Sequence, residues 1–470
     1  MNTSRQTRRS LMSFLKGYRG FRATVGGMPR IPYERISIDS RTLQPGDIFV
    51  ALRGERHDGH DYIRRALRKG AAAVVVEETW FREANHSAYL HGYMGVVVQD
   101  TLDFLQQLSA FHRRLFSIPV IGLTGSNGKT TTREMMAQIL ATRYRVLRSQ
   151  GNRNNHIGLP LTLLGLTGET EIAVVEMGTN HPGEIALLTS LAAPTAAAVT
   201  NIGRGHIGFF GSLEAVYREK VALFDGVDAD APIFINMDDP FLREYPREHR
   251  RVVTVGSSQT YDVWGRMEGM DRFGRVRFSL NGRTPIQLNL PGKHQFSNAL
   301  LAAAVGLHFG VEEEAIREAL EKFVPAGQRM EIQQRKGVVL INDAYNANPD
   351  SMRAAVDYLV GLDDSFGKRI LALGDMLELG DFAEQEHREL GRYIAEKPVN
   401  GVVLYGPLAK FIQQGIEESG NEDIKVFWYE DHKSVARRVK KLARKGDVVL
   451  FKGSRGMRME HALEWLLALL

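Results

Sequence analysis

The chain of 470 residues contains no cysteine. That removes disulfide scaffolds, thiolate nucleophiles and cysteine-ligated zinc, and it suits a reducing compartment, so a cytoplasmic location is expected. A long apolar run is also missing: the stretch 185–199 is broken by Thr189, Ser190, Pro194 and Thr195. A membrane helix needs about 18 or more consecutive apolar residues, so no stable membrane insertion is expected. Acidic residues are missing from the head. Residues 1–33 hold Arg5, Arg8, Arg9, Lys16, Arg19, Arg22 and Arg30 with no Asp or Glu, which leaves 53 basic against 55 acidic residues in the remainder. The net charge of +5 therefore belongs to the head. A near-neutral body without a recurring basic stripe or aromatic platform excludes a nucleic-acid binder. An Arg-rich, acid-free head has the composition of a transit peptide; the plainer reading is a basic N-terminal extension over 1–33. The 46 glycines follow no period, and 43% hydrophobic with 24% charged residues is the balance of a folded chain, so collagen-like and disordered classes drop out.

The length predicts roughly three domains of about 100 to 200 residues each. The run ISIDSRTLQPGDIFVAL (36–52), the helical DYIRRALRKG (61–70) and the strand AAAVVVEE (71–78) predict a small α/β domain over 34–118. At Ile118-Pro119 a new unit begins, with the buried strand PVIGLTG leading into TTREMMAQILATRY at helical spacing. Strands at 172–177, 196–202 and 232–236, separated by helical stretches, predict a central domain with a parallel sheet over 119–325. Within it 252–290 alternates like antiparallel strands, and helices at 296–310 and 312–323 lead to a linker, Val324-Pro325-Ala326-Gly327. Beyond the linker, VVLIND (338–343), RILALG (369–374), GVVLYG (401–406) and DVVLFKG (447–453) predict a doubly wound, Rossmann-like C-terminal domain over 326–470. The expected fold class is therefore α/β in three domains, the central one of P-loop type.

The sharpest local feature is Thr124-Gly125-Ser126-Asn127-Gly128-Lys129-Thr130-Thr131-Thr132, between a buried strand and a helix. Glycines there let backbone N–H groups turn in around an anion, and the helix N-terminus adds partial positive charge. Lys129 can reach the terminal phosphates of a nucleotide, and the Thr130 hydroxyl can ligate Mg²⁺. The strict Walker A pattern fails at its first position, where Leu123 stands in place of glycine. Further metal ligands should come from strand ends that face the loop, which points to Glu176 after IAVV and to His206 after TNIG.

The motifs that run along almost the whole chain are DSRTLQPGDIFVAL (39–52), DGHDYI (58–63), GLTGSNGKTTT (122–132), GNRNNHIGLP (151–160) and EMGTNHPGEI (176–185). They continue with TNIGRGHIGFFGS (200–212), PGKHQFSNALLAA (291–303), GQRMEI (327–332), NDAYNANPDSM (342–352), LGDMLELG (373–380) and KGSRGMRME (452–460). With these motifs the sequence resembles the Mur ligase family. NDAYNANPDSM together with LGDMLELG is similar to the branch that adds D-alanyl-D-alanine to UDP-N-acetylmuramoyl-tripeptide, and separates it from sister amino-acid ligases and folylpolyglutamate synthases.

The resemblance implies an ATP-dependent carboxylate–amine ligase, a monomer working in cytoplasmic peptidoglycan precursor synthesis. It implies a UDP-sugar-binding first domain, an ATP-binding central domain and a third domain that binds the dipeptide and closes over ATP. By position it gives Lys129 the β/γ-phosphates, within a nucleotide loop of Thr124, Gly125, Asn127, Gly128, Thr130 and Thr131. Thr130 and Glu176 would hold one Mg²⁺, and His206 with a carbamylated Lys220 the second. Asn298 would lie near the adenine, and Arg329 and Asp343 would reach ATP from the third domain. Ser40, Arg41, Asn152 and Asn155 would face the UDP-sugar. Tyr345, Asn346, Asn348, Pro349, Lys452, Ser454 and Arg455 would form the dipeptide pocket, with Arg455 also catalytic and gripping a carboxylate bidentately. The chain departs from the family pattern at Ala222, where a Glu usually stands, and at Asn342, where many relatives have Asp. Because an acyl phosphate hydrolyses readily, the linker near Pro325–Gly327 is expected to be a hinge, open without substrates and closed for the reaction.

Overall fold

A computed structural model of the protein describes residues 10–27, 31–33, 35–83, 86–248, 250–325 and 327–470. Arg5, Arg8, Arg9 and Arg30 of the basic head and Ala326 of the linker lie outside these residues. The chain forms two compact units, one of residues 1–122, 145–178 and 186–195, the other of 123–144, 179–185 and 196–470.

In the first unit, valine-rich runs make a sheet in the order Phe21–Val25, Gly95–Val98, Ala73–Glu77, Ile48–Val50, Ile36–Ser37. The inner strands are buried on both faces and pair in parallel, the arrangement that β-branched, unalternating sequences favour. Phe21–Val25 pairs antiparallel with Gly95–Val98 at the edge. Helix Thr101–Arg113 covers one face; Asp100 caps it, accepting from the N–H groups of Leu102 and Asp103 at 2.7 and 2.8 Å. A strand that the alternation pattern misses, Val146–Arg148, pairs in parallel with Ile172–Glu176. The Ala173 N–H donates to Pro119 O, tying that strand to the start of Val120–Thr124.

The boundary expected at residue 33 requires correction. From Ser10 on, the basic head is part of this unit. Helix Leu11–Leu15 buries Leu11, Phe14 and Leu15 with Tyr18 against Phe104, Leu105 and Leu108, and the Phe14 and Phe104 rings meet edge to face at 5.6 Å. The charged side chains of the head hid an apolar face on Leu11, Phe14, Leu15 and Tyr18 at helical spacing.

In the second unit one sheet runs in the order Thr284–Pro291, Arg275–Leu280, Val263–Met270, Val252–Gly256, Ile233–Asn236, Ala196–Val199. Its first half is antiparallel, and Val276, Phe278 and Leu280 alternate inward beside Ile286, Leu288 and Leu290, the period-two pattern of a half-buried meander. Antiparallel pairing starts at Val263 rather than at 252, because Val252–Gly256 is parallel to Ile233–Asn236. The end of Val120–Thr124 joins this unit through Thr200 N–H to Thr124 O, 2.9 Å, so the loop after it leaves from beside Ala196–Val199. The second sheet has the order Glu331–Arg335, Val338–Asp343, Val448–Lys452, Arg369–Gly374, Gly401–Tyr405, Lys425–Tyr429, all parallel except the first pair. The carboxyl ends of its adjacent central strands bring Asp343 and Lys452 into register.

Truncating the buried Phe14 tests the head's place in the fold. Phe14→Ala should lower the stability of the first unit by about 3 kcal/mol, the usual cost of emptying a buried aromatic site, read as a shift in the urea unfolding midpoint. An unchanged midpoint would mean that the head lies outside the core.

Candidate active site

The turn after Thr124 is possible only with glycine. Gly125 (φ 142°) and Gly128 (φ 78°) lie where an L-residue is strained, and a methyl at Gly128 would collide with Asn298 Oδ1. The neighbouring segment holds the turn through its polar atoms. Ser126 N–H donates to Asn201 O at 2.9 Å, Asn127 N–H to Asn201 Oδ1 at 2.9 Å, Thr200 Oγ1 to Asn127 O at 2.6 Å, and Ser126 Oγ to Gly203 O at 3.0 Å. Helix Lys129–Leu140 starts directly after it, with Thr131 buried in its first turn. Lys129 Nζ bends over the loop, donating to Gly125 O at 2.7 Å and Ser126 O at 3.2 Å. The ammonium thus sits on the rim of an anion-shaped turn.

Three residues of the segment 327–470 reach this loop directly or through its neighbour. Arg329 Nη2 donates to Thr130 Oγ1 at 3.2 Å while its guanidinium lies 3.7 Å over the Tyr345 ring. Asn348 Nδ2 donates to Asn127 Oδ1 at 2.8 Å, and Asn348 Oδ1 caps helix Pro349–Val360, accepting from Ser351 N–H. Asp350 Oδ2 accepts from Arg204 N–H at 2.6 Å. Residues 327–470 therefore contact the phosphate loop and its neighbour, whereas an open arrangement is expected without substrates.

Lys220, on helix Leu213–Asp225, is 1% exposed, and its Nζ has no hydrogen-bond partner. Burial first, and the nearby Lys129 charge second, hold this amine well below the ordinary lysine range, which favours its neutral form. Its neighbour Glu219 organises the loop 179–185, accepting from Thr179 Oγ1, Gly183 N–H and Ile185 N–H at 3.0, 2.7 and 2.8 Å. His206 Nδ1 lies 2.9 Å from Glu378 Oε2, and this contact holds the Glu378 carboxyl below its usual range.

Asp343 is paired with Lys452 Nζ at 2.6 Å, and Lys452, 3% exposed, also donates to Asn346 O at 3.0 Å. Ser454, likewise 3% exposed, donates to Ala347 O at 3.1 Å and accepts from Leu377 N–H at 2.8 Å. Both are expected at the dipeptide pocket; in the structure their polar atoms are bonded inside the protein, where they join loops 343–349, 375–378 and 452–455. Arg455 is different, with a guanidinium 57% exposed and bonded to Gln328 Oε1 and Glu460 Oε1, each at 2.7 Å. Asn298 lies beside Gly128 and donates to Gln295 Oε1 at 2.9 Å, which places it against the phosphate loop.

In the first unit Glu176 is buried at its strand end and accepts from Asn154 Nδ2 at 2.8 Å. The asparagines chosen from the sequence were its neighbours. Asn155 Oδ1 accepts from Gly158 N–H at 2.8 Å and so starts helix Gly158–Leu163, while Asn152 lies in an exposed turn. Ser40 is buried, and Arg41 is exposed and paired with Asp39 at 2.8 Å. Among the described residues no three or more His, Asp or Glu side chains gather into a metal cage. That donor set fits Mg²⁺, which takes one or two protein ligands with substrate phosphates and water completing its shell. Sequence reasoning missed Asn154, Glu219, Arg204 and Glu378. Asn154, Arg204 and Glu378 sit inside quoted motifs and Glu219 outside them, but the role of each is revealed only by its partner.

Family models match in tandem: the Mur ligase family catalytic domain over 32–113, the Mur ligase middle domain over 123–306, and the Mur ligase glutamate ligase domain over 328–455. A UDP-N-acetylmuramoyl-tripeptide–D-alanyl-D-alanine ligase of Bacillus subtilis (strain 168) is 39% identical over 434 residues, covering 91% of this chain and 92% of that one. The chain belongs to the Mur ligase family. An Escherichia coli (strain K12) Mur ligase with the same enzyme name is 33% identical over 92% of this chain and 93% of its own. Among solved Mur ligases, MurF from Acinetobacter baumannii superposes with a TM-score of 0.86 at 31% identity, covering 97% and 98% of the two chains. MurF ligase from Thermotoga maritima in complex with ADP gives 0.78 at 29% identity, covering 92% and 97%.

Gly128→Ala should weaken ATP binding by at least about tenfold, since backbone strain of 1 to 3 kcal/mol acts where the phosphates sit. Calorimetric titration with ATP reads the change; wild-type affinity in this variant would show that the turn does not hold the nucleotide.

Proposed function

We propose that the protein is an ATP-dependent amide-bond ligase that joins D-alanyl-D-alanine to the terminal carboxylate of UDP-N-acetylmuramoyl-tripeptide, with ADP and phosphate as by-products. One observation carries this reading beyond the relatives' names. The YNANP segment that marks the dipeptide-adding branch contacts the phosphate loop through Asn348 and Asn127, so the two ends of the chemistry are built together. In this reading residues 34–118 bind the UDP-sugar, with Ser40, Arg41, Asn152 and Asn155 as candidates. Residues 119–325 bind ATP, and residues 326–470 bind the dipeptide.

A carboxylate resists attack by an amine at neutral pH until one oxygen becomes a leaving group. The γ-phosphoryl group of ATP is transferred to the tripeptide carboxylate, giving an acyl phosphate and ADP. The dipeptide amine then attacks the carbonyl carbon, the tetrahedral oxyanion collapses, and phosphate leaves. The helix N-terminus at Lys129 and Thr130 and the Lys129 ammonium hold the phosphates and balance their charge. Arg329, stacked on Tyr345, orients the Thr130 hydroxyl and brings a second cation to the nucleotide. Arg455, whose guanidinium is exposed, is placed to grip the dipeptide carboxylate, with Asn346 and Tyr345 beside it. Lys452 and Ser454 fix the loops that carry these groups, and Asp343, held by Lys452, marks the strand end that faces the nucleotide.

Mg²⁺ would supply charge neutralisation at the transferring phosphoryl group, with Thr130, His206 and Lys220 as candidate ligands. Lys220 suits that role only as a carbamate. Its neutral, unpartnered amine is the form that adds CO₂ with loss of a proton, and the product offers two oxygens where a cation would repel the metal. The working form is a cytoplasmic monomer. No helix among the described residues is long and apolar enough to cross a membrane.

ADP release should depend on D-alanyl-D-alanine when ATP, Mg²⁺ and UDP-N-acetylmuramoyl-tripeptide are present. Absence of release with both the lysine and the diaminopimelate tripeptides would sink the assignment. Lys220→Ala should lose at least about a hundredfold in kcat, the scale of removing one charge-stabilising group, and recover part of it when acetate supplies the missing carboxylate. Full activity of the variant without acetate would remove Lys220 from the site.

A further inference from the structure

Arg329 stands between two residues in left-handed backbone, Gln328 at φ 63° and Met330 at φ 52°. Non-glycine residues enter that region only where their surroundings hold them, and such positions gather at functional sites. The holding contacts are identifiable. Gln328 O accepts from Tyr345 N–H at 3.1 Å, and the buried Met330 donates its N–H to Asp343 Oδ1 at 3.3 Å. Asp343 is itself fixed by Lys452 Nζ at 2.6 Å. The segment is thus pinned on both sides of Arg329 by residues 343–345, and consecutive side chains take different tasks. Arg329 crosses Tyr345 to reach Thr130, while Gln328 reaches Arg455.

The contact with Arg455 uses one corner of the guanidinium. Gln328 Oε1 and Glu460 Oε1 both accept from Nη1, at 2.7 Å each. Among the described residues Nε and Nη2 of Arg455 donate to no protein atom. Those two nitrogens form the side of the group that takes a carboxylate through two parallel bonds. A half-exposed arginine side chain has many rotamers to lose on binding, and two acceptors at Nη1 remove much of that freedom beforehand. Glu460 supplies a compensating charge. Gln328 adds a second hold without adding another negative charge beside the site.

We propose that Gln328 is a positioning residue for the second substrate. Its amide oxygen holds Arg455 with the Nε–Nη2 side presented to the dipeptide carboxylate, and its left-handed backbone lets the same segment carry Arg329 to the phosphate loop. The proposal rests on the reading of Arg455 as the group that grips that carboxylate. Neighbouring residues then serve the two substrates of the reaction, Gln328 the dipeptide and Arg329 the nucleotide.

Steady-state kinetics of the full-length protein, read as ADP release with first D-alanyl-D-alanine and then ATP varied, test the side chain and the backbone separately. Gln328→Gly and Gln328→Asn tolerate left-handed backbone but delete or shorten the side chain. Each should raise KM for D-alanyl-D-alanine about tenfold, the scale of one hydrogen bond to a charged group, with KM for ATP within about twofold of wild type. Gln328→Val, β-branched and strained at positive φ, should raise both KM values. In an Arg455→Ala background Gln328→Gly should add less than about twofold to the dipeptide KM, because the group it positions is gone. A dipeptide KM unchanged in both Gln328→Gly and Gln328→Asn, or an effect of equal size with and without Arg455, overturns the proposal while wild-type turnover keeps the proposed function intact. A wild-type KM for ATP in Gln328→Val overturns the role given to the backbone. Wild-type protein that releases no ADP in response to the dipeptide sinks the proposed function, and this proposal with it.

Discussion

The segment 124–130 is gripped from two sides, and the rest of the second unit is arranged around that grip. On one side Thr200, Asn201 and Gly203 take up the loop's own polar atoms, which leaves its geometry determined before any anion arrives. On the other side Arg329 and Asn348 reach it from beyond the linker. A phosphate loop alone binds nucleotide; one whose Thr130 and Asn127 side chains are contacted by the dipeptide-binding segment can tie nucleotide chemistry to the presence of the second substrate. The same logic explains why so many polar side chains near the site are buried and internally bonded. Lys452, Ser454 and His387 hold the loops that carry Asn346, Asn348 and Glu378.

How far the sequence reveals this differs by element. The phosphate loop was legible because glycine at a strand-to-helix turn has a narrow physical meaning, and the third domain's strands because four β-branched runs stand between helical stretches. Glu331–Arg335 was not, because this edge strand carries the polar side chains that a half-solvated position permits, and the five-residue KVFWY run of Lys425–Tyr429 at the other edge was passed over. Phe21–Val25 was hidden in the same way, inside a head whose basic residues dominated its composition. The family resemblance carried the site further than periodicity could, yet it assigned roles by residue type. A lysine and a serine beside an arginine look like a carboxylate grip on paper. Their burial and their partners inside the protein depend on the register of Val338–Asp343 against Val448–Lys452, which no local pattern states.

Charge at Lys220 brings these strands of reasoning together. A protonated lysine in that position would be a desolvated cation with Lys129 as its nearest repulsive partner, opposed only by Glu219 and Glu184. Glu219 is already committed to three donors of the loop 179–185, so it offers little further compensation. Deprotonation relieves the repulsion but leaves a buried polar atom unpartnered. The proposed carbamylation would resolve both problems at once, because the added group reverses the sign of the charge. The Lys129–Lys220 repulsion would become an attraction, and the unpartnered nitrogen would be exchanged for oxygens that a divalent ion can satisfy. Burial, a liability for a lysine ammonium, favours the neutral amine that such a modification needs.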